Sequence, residues 1–546
     1  MNTLVKGILT GTAALMLAAW TPIAQAATCG DLNNNGGIDA GDCTLLLDVA
    51  VGPPDPVGLC GGLGVLQCGD LAGGDGVINT ADVSACLLTV SGGETVFPLC
   101  GGAPQQMTCP GGLRDITSNI NTSQVWLSGC TYRIDRVIFV QPGVTLSIQS
   151  GVKVIAKKAP TAPASVSALV FLRDSKINAT GTQAAPITFT SDQNEAIVGT
   201  VGNPKGVGDW GGIVLNGRAR VNVPGGEGLS EGLDAVPFGG LEDNDSSGVV
   251  QFVRVEFAGK VVGIDNELNL FTMNALGQGT VIDHVHAHAG LDDAHEWFGG
   301  NVKSRYLLAS AQGDDGLDWQ LGFTGAVQFA AVWQDANRVE SGGSNGIEAD
   351  NNENNFNATP VSNPAFCNVT LCGTADQTLP PGGPVNQFGM LLRRGTSGRI
   401  ANTIVEGFRA AGGRIQHNET SLRFATGNTG SCSLISNTGL WSTMFFNNVV
   451  TLDSANITGS TCTAADLLGL WTSGRNVTTG IDPQVDCATP TGMITVPPAA
   501  SPASAGGINC ATQFGDAFFQ NTAYRGAFQP GGTSWALAPW AVFPVN

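Results

Sequence analysis

The chain has 546 residues, 76 of them glycine, with only 13% charged residues and a formal net charge of −19. That length provides for a large core and more than one domain, and so much glycine with so little charge excludes a charged helical bundle and suits tight turns between stacked strands. The acidic balance argues against nucleic acid, whose phosphates need Lys and Arg, and suits calcium, other cations or plain solubility outside the cell.

Residues 1–26 read as a secretory signal, with Lys6 in the basic region, an apolar run from Ile8 to Trp20 and an Ala24-Gln25-Ala26 cleavage site. The apolar run is too short for a membrane span, and no later stretch reaches the roughly 20 apolar residues a span needs. The expectation is a secreted or cell-surface protein with no membrane span. All 14 Cys follow the signal, eight from Cys29 to Cys130 and six from Cys367 to Cys510. In an exported chain without a C-x-x-C pair, an even number predicts disulfides. Cys109–Cys130 and Cys432–Cys462 are the local pairs the spacing suggests; the remaining connectivity is open.

Residues 27–103 contain an internal duplication, each half opening on Cys-Gly-Asp (Cys29, Cys68) and closing on Leu-Cys-Gly-Gly (Cys60, Cys100). In the first half Asp31, Asn33, Asn35, Asp39 and Asp42 place oxygen ligands at loop positions 1, 3, 5, 9 and 12, with Gly36 at the sharp turn. Calcium needs six or more oxygens, and this spacing wraps them round one ion. The second half repeats the order with Asp70, Asp75, Asn79 and Asp82, one residue longer and with Gly73 in place of a ligand. A polar Asn/Gly turn is the alternative. These loops resemble a type I dockerin, a small α-helical module with paired calcium loops. The resemblance implies calcium binding and docking onto a cohesin-like partner, although the added cysteines depart from that pattern.

Residues 104–130 read as a linker and cap. From residue 131 the pattern has period two, in Arg133-Ile-Asp-Arg-Val137-Ile-Phe139-Val, Val144-Thr-Leu146-Ser-Ile148 and Val152-Lys-Val154-Ile, separated by Pro-Gly and Ser-Gly turns. Strands at such intervals also build sandwiches and propellers. A fixed step of 22 residues decides between them: Asp292-Asp293-Ala-His-Glu296-Trp297 returns as Asp314-Asp315-Gly-Leu-Asp318-Trp319, and a further step puts Glu340 under Asp318. Stacked coils keep like positions aligned in this way, so residues 131–510 are expected to form a right-handed parallel β-helix. Tyr132-Arg-Ile-Asp, Gly208-Asp-Trp-Gly-Gly-Ile, Asp292-Asp-Ala-His-Glu-Trp-Phe-Gly-Gly, Ile347-Glu-Ala-Asp-Asn, Leu391-Leu-Arg-Arg-Gly and Tyr524-Arg-Gly-Ala-Phe together resemble large secreted bacterial β-helix surface proteins. That group implies the fold and no defined reaction. The aromatic end, residues 511–546, is expected to cap the last coil.

Two constellations carry chemistry. Neighbouring coils lie about 4.8 Å apart, so Glu296, Asp318 and Glu340 would stack as like charges beside Asp292, Asp293, Asp314 and Asp315. Such a column must splay into solvent, take up protons or share a cation such as calcium; the alternative is that the Asp-Asp pairs simply make turns. Carboxylates at this spacing also suit glycoside hydrolysis, with Asp292, Asp293, Asp314, Asp315 and Asp318 as the catalytic candidates. The Asn-Thr-Asp, Gly-His-Gly and Arg-Ile-Lys motifs of β-helix pectin hydrolases are missing, the nearest being Arg414-Ile415-Gln416. The second constellation is His284, His286, His288 and His295. The first three alternate on one strand and are expected to share an outward face, either as a transition-metal site completed by neighbouring acids or as a polar ladder between Arg254/Glu256 and Tyr306. Trp297 and Trp319 read as an interior ladder.

The functional expectation is an exported, calcium-stabilised β-helix surface or matrix protein that binds polysaccharide or another cell-surface partner. The alternatives are a polysaccharide lyase or glycoside hydrolase working at the 292–318 acidic face, and a transition-metal site at His284–His295.

Overall fold

A computed structural model describes residues 104–543, apart from 161–164, 201, 234, 264–265, 339–342, 379–385 and 494–495. The duplicated calcium loops and Glu340 therefore lie outside the described residues.

Parallel strands from successive turns of the chain stack into two sheets of a β-helix, a long one of 17 strands and a narrow one of ten. The period-two pattern works as expected at the start: in Thr131–Ile134 and Thr145–Ile148 every second residue is buried, so Tyr132, Ile134, Leu146 and Ile148 fill the interior. The segment read as a linker and cap is already solenoid. Gln105–Met107 pairs with Gln124–Trp126, Leu113–Ile116 pairs with Thr131–Ile134, and the Cys109–Cys130 disulfide crosses this first coil.

Between residues 248 and 406, two strand segments of each coil fuse into one long strand, Gly248–Glu256, then Val281–His288, Lys303–Ser310, Ala326–Trp333, Ala365–Cys372 and Arg399–Glu406. Each carries one left-handed residue that turns the corner: Phe252 (φ 48°), His284 (53°), Tyr306 (57°), Phe329 (64°), Asn368 (58°) and Asn402 (53°). The ladder skips that residue, running from Gln251↔Asp283 straight to Val253↔Val285. A non-glycine residue in this conformation costs about 1–2 kcal/mol, and stacking offsets it here. Ring centroids lie 4.2 Å apart for Phe252–His284, 4.2 Å for His284–Tyr306 and 4.9 Å for Tyr306–Phe329.

The interior holds Trp297 and Trp319, both fully buried and in register. Trp297 stacks on Phe323 (5.3 Å) and Trp319 on Phe366 (4.9 Å). Near the C-terminal coils the helix Ala464–Gly474, started by a Thr463/Asp466 capping box, buries Leu467 and Trp471, the latter edge-on to Phe424.

The aromatic tail does not cap the last coil. It runs back over the outer face of the long sheet, from Asn402 (Nδ2 to Ile508 O, 2.9 Å) past Gln328 (Nε2 to Gln520 O, 2.9 Å) to Arg254 (Nη1 to Pro539 O, 2.7 Å). The disulfides Cys367–Cys510 and Cys372–Cys487 fasten it, while Cys432–Cys462 closes a local loop as the spacing suggested. Strands under the tail are covered on both faces; every residue of Ala326–Trp333 and of Ala365–Cys372 is buried. No helix among the described residues is long and apolar enough to cross a membrane.

Candidate functional site: an acidic face of the narrow sheet

The narrow sheet stacks Phe271–Asn274, His295–Phe298, Leu317–Gln320, Ile347–Ala349 and Phe388–Leu392. Alternation sends Trp297 and Trp319 inward, so Thr272, Glu296, Asp318, Glu348 and Leu391 form one outward row. The 22-residue step holds from Glu296 to Asp318. The next step is 30 residues, to Glu348, because the loop after Trp333 is longer. Glu348 takes the place after Asp318 in the column.

The Asp-Asp turns preceding these strands are also ordered. Asp293 Oδ1 accepts the backbone N–H of Asp315 (2.8 Å), Asp315 Oδ1 accepts that of Asn345, and Asn345 Oδ1 that of Phe388 (3.1 Å). Each side chain ties its coil to the next, so the turn role is real for one oxygen of each aspartate. Gly316 follows because the interior is tight there: a Cβ would stand 2.3 Å from Val332 Cγ1.

Burial then concentrates like charge. Asp293 (6% exposed), Glu296 (3%), Asp315 (3%) and Asp318 (8%) are all taken out of water. Their carboxyls sit well above the usual carboxylate range, first because burial disfavours the ion and then because of acidic neighbours: Asp315 beside Asp293, Glu231 beside Glu296, Asp314 beside Asp315 and Glu348 beside Asp318. Burial pushes Glu348 up to about 7 against the pull of Arg393. Glu231, on the insertion spanning 217–247, is raised to about 7 by burial and by Glu267.

Among the described residues, three carboxylate trios bring ligand oxygens within 4.8 Å of one another: Asp292/Asp293/Asp314, Asp293/Glu296/Asp318 and Asp315/Asp318/Glu348. Glu296 accepts from Asn269 Nδ2 and from Gln320 Nε2 (3.1 Å). Asp318 Oδ1 is buried with no hydrogen-bond partner. Arg393 donates to Glu348 and to Asp350 Oδ1 (2.9 Å), and Arg394 to Asp350 Oδ2 (2.8 Å). Burial opposes the charge on Arg393, but Glu348 and Asp350 outweigh it and hold the guanidinium firmly protonated. Oxygen-only donors packed this closely suit a hard cation.

The histidines do not share one face. His284 is the left-handed corner residue, stacked between Phe252 and Tyr306 and bonded to Asp283. His286 and His288 do point outward, level with Arg254 and Glu256, but the tail buries them. Phe543 lies 5.3 Å from His286 and 6.1 Å from His288, and Ser310 Oγ is 2.8 Å from His286 Nε2 and 2.8 Å from His288 Nδ1. His295 points inward and donates Nε2–H to Leu308 O (2.9 Å). Burial, then the neighbouring His288, lowers His286 well below the usual imidazole range, and burial takes His295 down to about 4. No trio among the described residues includes a histidine.

Sequence reasoning missed Glu348, Asp350, Arg393, Arg394 and Glu231. The first four stood in view as Ile347-Glu-Ala-Asp and Leu391-Leu-Arg-Arg, but the longer loop hid their register. Nothing local marks Glu231.

A family model for a pectate-lyase-like β-helix domain matches residues 118–473. No curated protein and no solved structure matches the chain. The matched segment includes most strands of both sheets and every carboxylate of the acidic face, which fits a carbohydrate-related role. The chain belongs to the pectate-lyase-like β-helix family.

Proposed function

We propose that this is an exported, calcium-stabilised β-helix protein of the cell surface or matrix, whose acidic narrow-sheet face binds an anionic polysaccharide through bound cations. The observation that carries the reading is Asp318: a buried carboxylate with one oxygen lacking any donor, common to two trios of converging carboxylates. A buried anion in that position needs a counter-charge, and a hard cation supplies one while leaving coordination positions for uronate oxygens. Four disulfides among the described residues and the lack there of a membrane-crossing helix accord with an extracellular setting.

Binding is favoured over β-elimination because the arginine next to these carboxylates is a poor base. Glu348 and Asp350 hold Arg393 protonated, so it neutralises charge instead of accepting a proton. The test is co-sedimentation of the full chain with a polyuronate and with a neutral polysaccharide, in calcium and in chelator. Calcium-dependent retention on the polyuronate, reduced at least about tenfold by Asp318→Asn, is expected, a loss of roughly 1.4 kcal/mol or more. Equal retention in chelator would sink the reading. Release of unsaturated or reducing ends during incubation would make the face an active site.

A further inference from the structure

Two of the carboxylate trios are copies of one arrangement displaced by a single coil. In the first, Asp293 and Glu296 stand three residues apart and Asp318 completes the trio from the next coil. In the second, Asp315 and Asp318 stand three apart and Glu348 completes it from the coil beyond. The displacement between them is the stacking repeat, about 4.8 Å. Asp318 therefore has both roles, as the strand residue of one trio and the completing residue of the other.

The pattern stops at either end. One coil earlier the equivalent positions hold Asn269 and Thr272, which are neutral, and one coil later Asn345 and Leu391 replace the carboxylates that Glu348 would need. Asp292/Asp293/Asp314 is not part of the series: its copy one coil on would fall on Asp314, Asp315 and Ser344, and Asp292 and Asp314 are half-exposed turn residues. Two positions are thus defined, and no longer row.

We propose that the narrow sheet holds a pair of divalent cations bridged by the Asp318 carboxylate, one bound with Asp293 and Glu296 and the other with Asp315 and Glu348. Asp293 and Asp315 each give one oxygen to the backbone of the next coil, and the other is the proposed ligand. Asp318 Oδ1, which has no donor, gains a partner. Two divalent ions together with Arg393 neutralise the five carboxylates, while Arg394 serves Asp350. The donors are all oxygen, which selects calcium, magnesium or manganese over softer metals. The pair rests on the reading of this face as a cation-dependent polysaccharide surface and adds the number of ions and the residue that joins them.

The experiment uses the full chain and its Glu296→Gln, Glu348→Gln and Asp318→Asn variants, each checked for native circular dichroism. Calcium bound per chain is measured by titration calorimetry, and the spin resonance of the manganese(II)-loaded proteins is recorded. Glu296→Gln and Glu348→Gln are each expected to lose one calcium and Asp318→Asn two, whatever the N-terminal loops bind, since those are common to all four proteins. An exchange-coupled manganese pair is expected in the unmodified protein, with isolated-ion spectra in the two glutamine variants. Loss of only one calcium in Asp318→Asn, or an uncoupled spectrum in the unmodified protein, overturns the pair. Polysaccharide retention separates the two proposals. Calcium-dependent retention with a single ion would end the pair alone, and a coupled pair without retention would end the functional reading alone.

Discussion

On the long sheet, His286 and His288 lie beneath Trp540 and Phe543 and share the Ser310 hydroxyl. On the narrow sheet, Glu296, Asp318 and Glu348 stack directly on one another. Both faces bury ionisable groups, by opposite means. An imidazole sheds its charge near neutral pH at little expense, so a covering tail and one hydroxyl suffice for it. Carboxylates give up theirs only by taking protons well above their normal range. The same depth of burial therefore marks a structural contact in one region and, in the proposed reading, a place for counter-ions in the other.

The largest effect should come from stripping the cover off the long sheet. Trp540→Ala removes a fully buried ring from the His286 side and is expected to cost about 3–5 kcal/mol, with faster proteolysis of residues 530–543. Calcium affinity of the narrow sheet should be unchanged; a parallel loss of affinity would show that the two regions are not independent.

Acid and alkali should then separate buried imidazole from buried carboxylate by sign. His295 falls to about 4 from an unfolded value near 6.5. Its depressed folded value means that stability is fully present above about 6.5 and is lost as pH falls toward 4, on the order of 3 kcal/mol in all. The carboxylates are displaced upward, so their contribution is complete below about 4 and is lost as pH rises through their folded values, which for Glu348 is about 7. In chelator, the melting temperature should therefore decline between pH 5 and 8. Calcium should abolish that decline, and Asp318→Asn should flatten it. A decline that calcium leaves untouched would contradict the cation reading.

The smallest effect belongs to Ser310→Ala, which leaves His286 Nε2 and His288 Nδ1 without their shared hydroxyl for about 1–2 kcal/mol, measured by urea unfolding. An unchanged midpoint would mean that the tail's apolar contacts alone hold the pair.

How far the sequence discloses this molecule depends on where its two periods are interrupted. The solenoid is legible because alternation and the 22-residue repeat are both intact between Asp292 and Trp319. Glu296 over Asp318 follows from that repeat alone. Glu348 does not, since the longer loop between Trp333 and Ile347 changes the step without changing the stacking. The histidine face is hidden in the sequence for a related reason. His284 is a left-handed corner residue that the ladder skips, so counting by twos from His284 to His286 crosses a bend. The first coil escaped notice because Gln105–Met107 and Gln124–Trp126 have three residues each, too few to show alternation. The position of the tail had a visible sign: Ala365–Cys372 is uncharged and, but for Asn368 and Thr370, apolar throughout, as strands covered on both sides tend to be.

The tail also sets an order of events. Arg254 bonds to Pro539, 285 residues further on, so a contact made midway along the solenoid waits until that distant segment has been synthesised. Until then the outer faces of Ala331, Ala365 and Ala401 stand open, a broad apolar surface on the flank of stacked strands. A nascent chain can wind its coils as they emerge, yet it is sticky until residues 508–543 fold back over them. Return of the tail, more than closure of any one coil, is what turns the solenoid from an aggregation-prone intermediate into a finished particle.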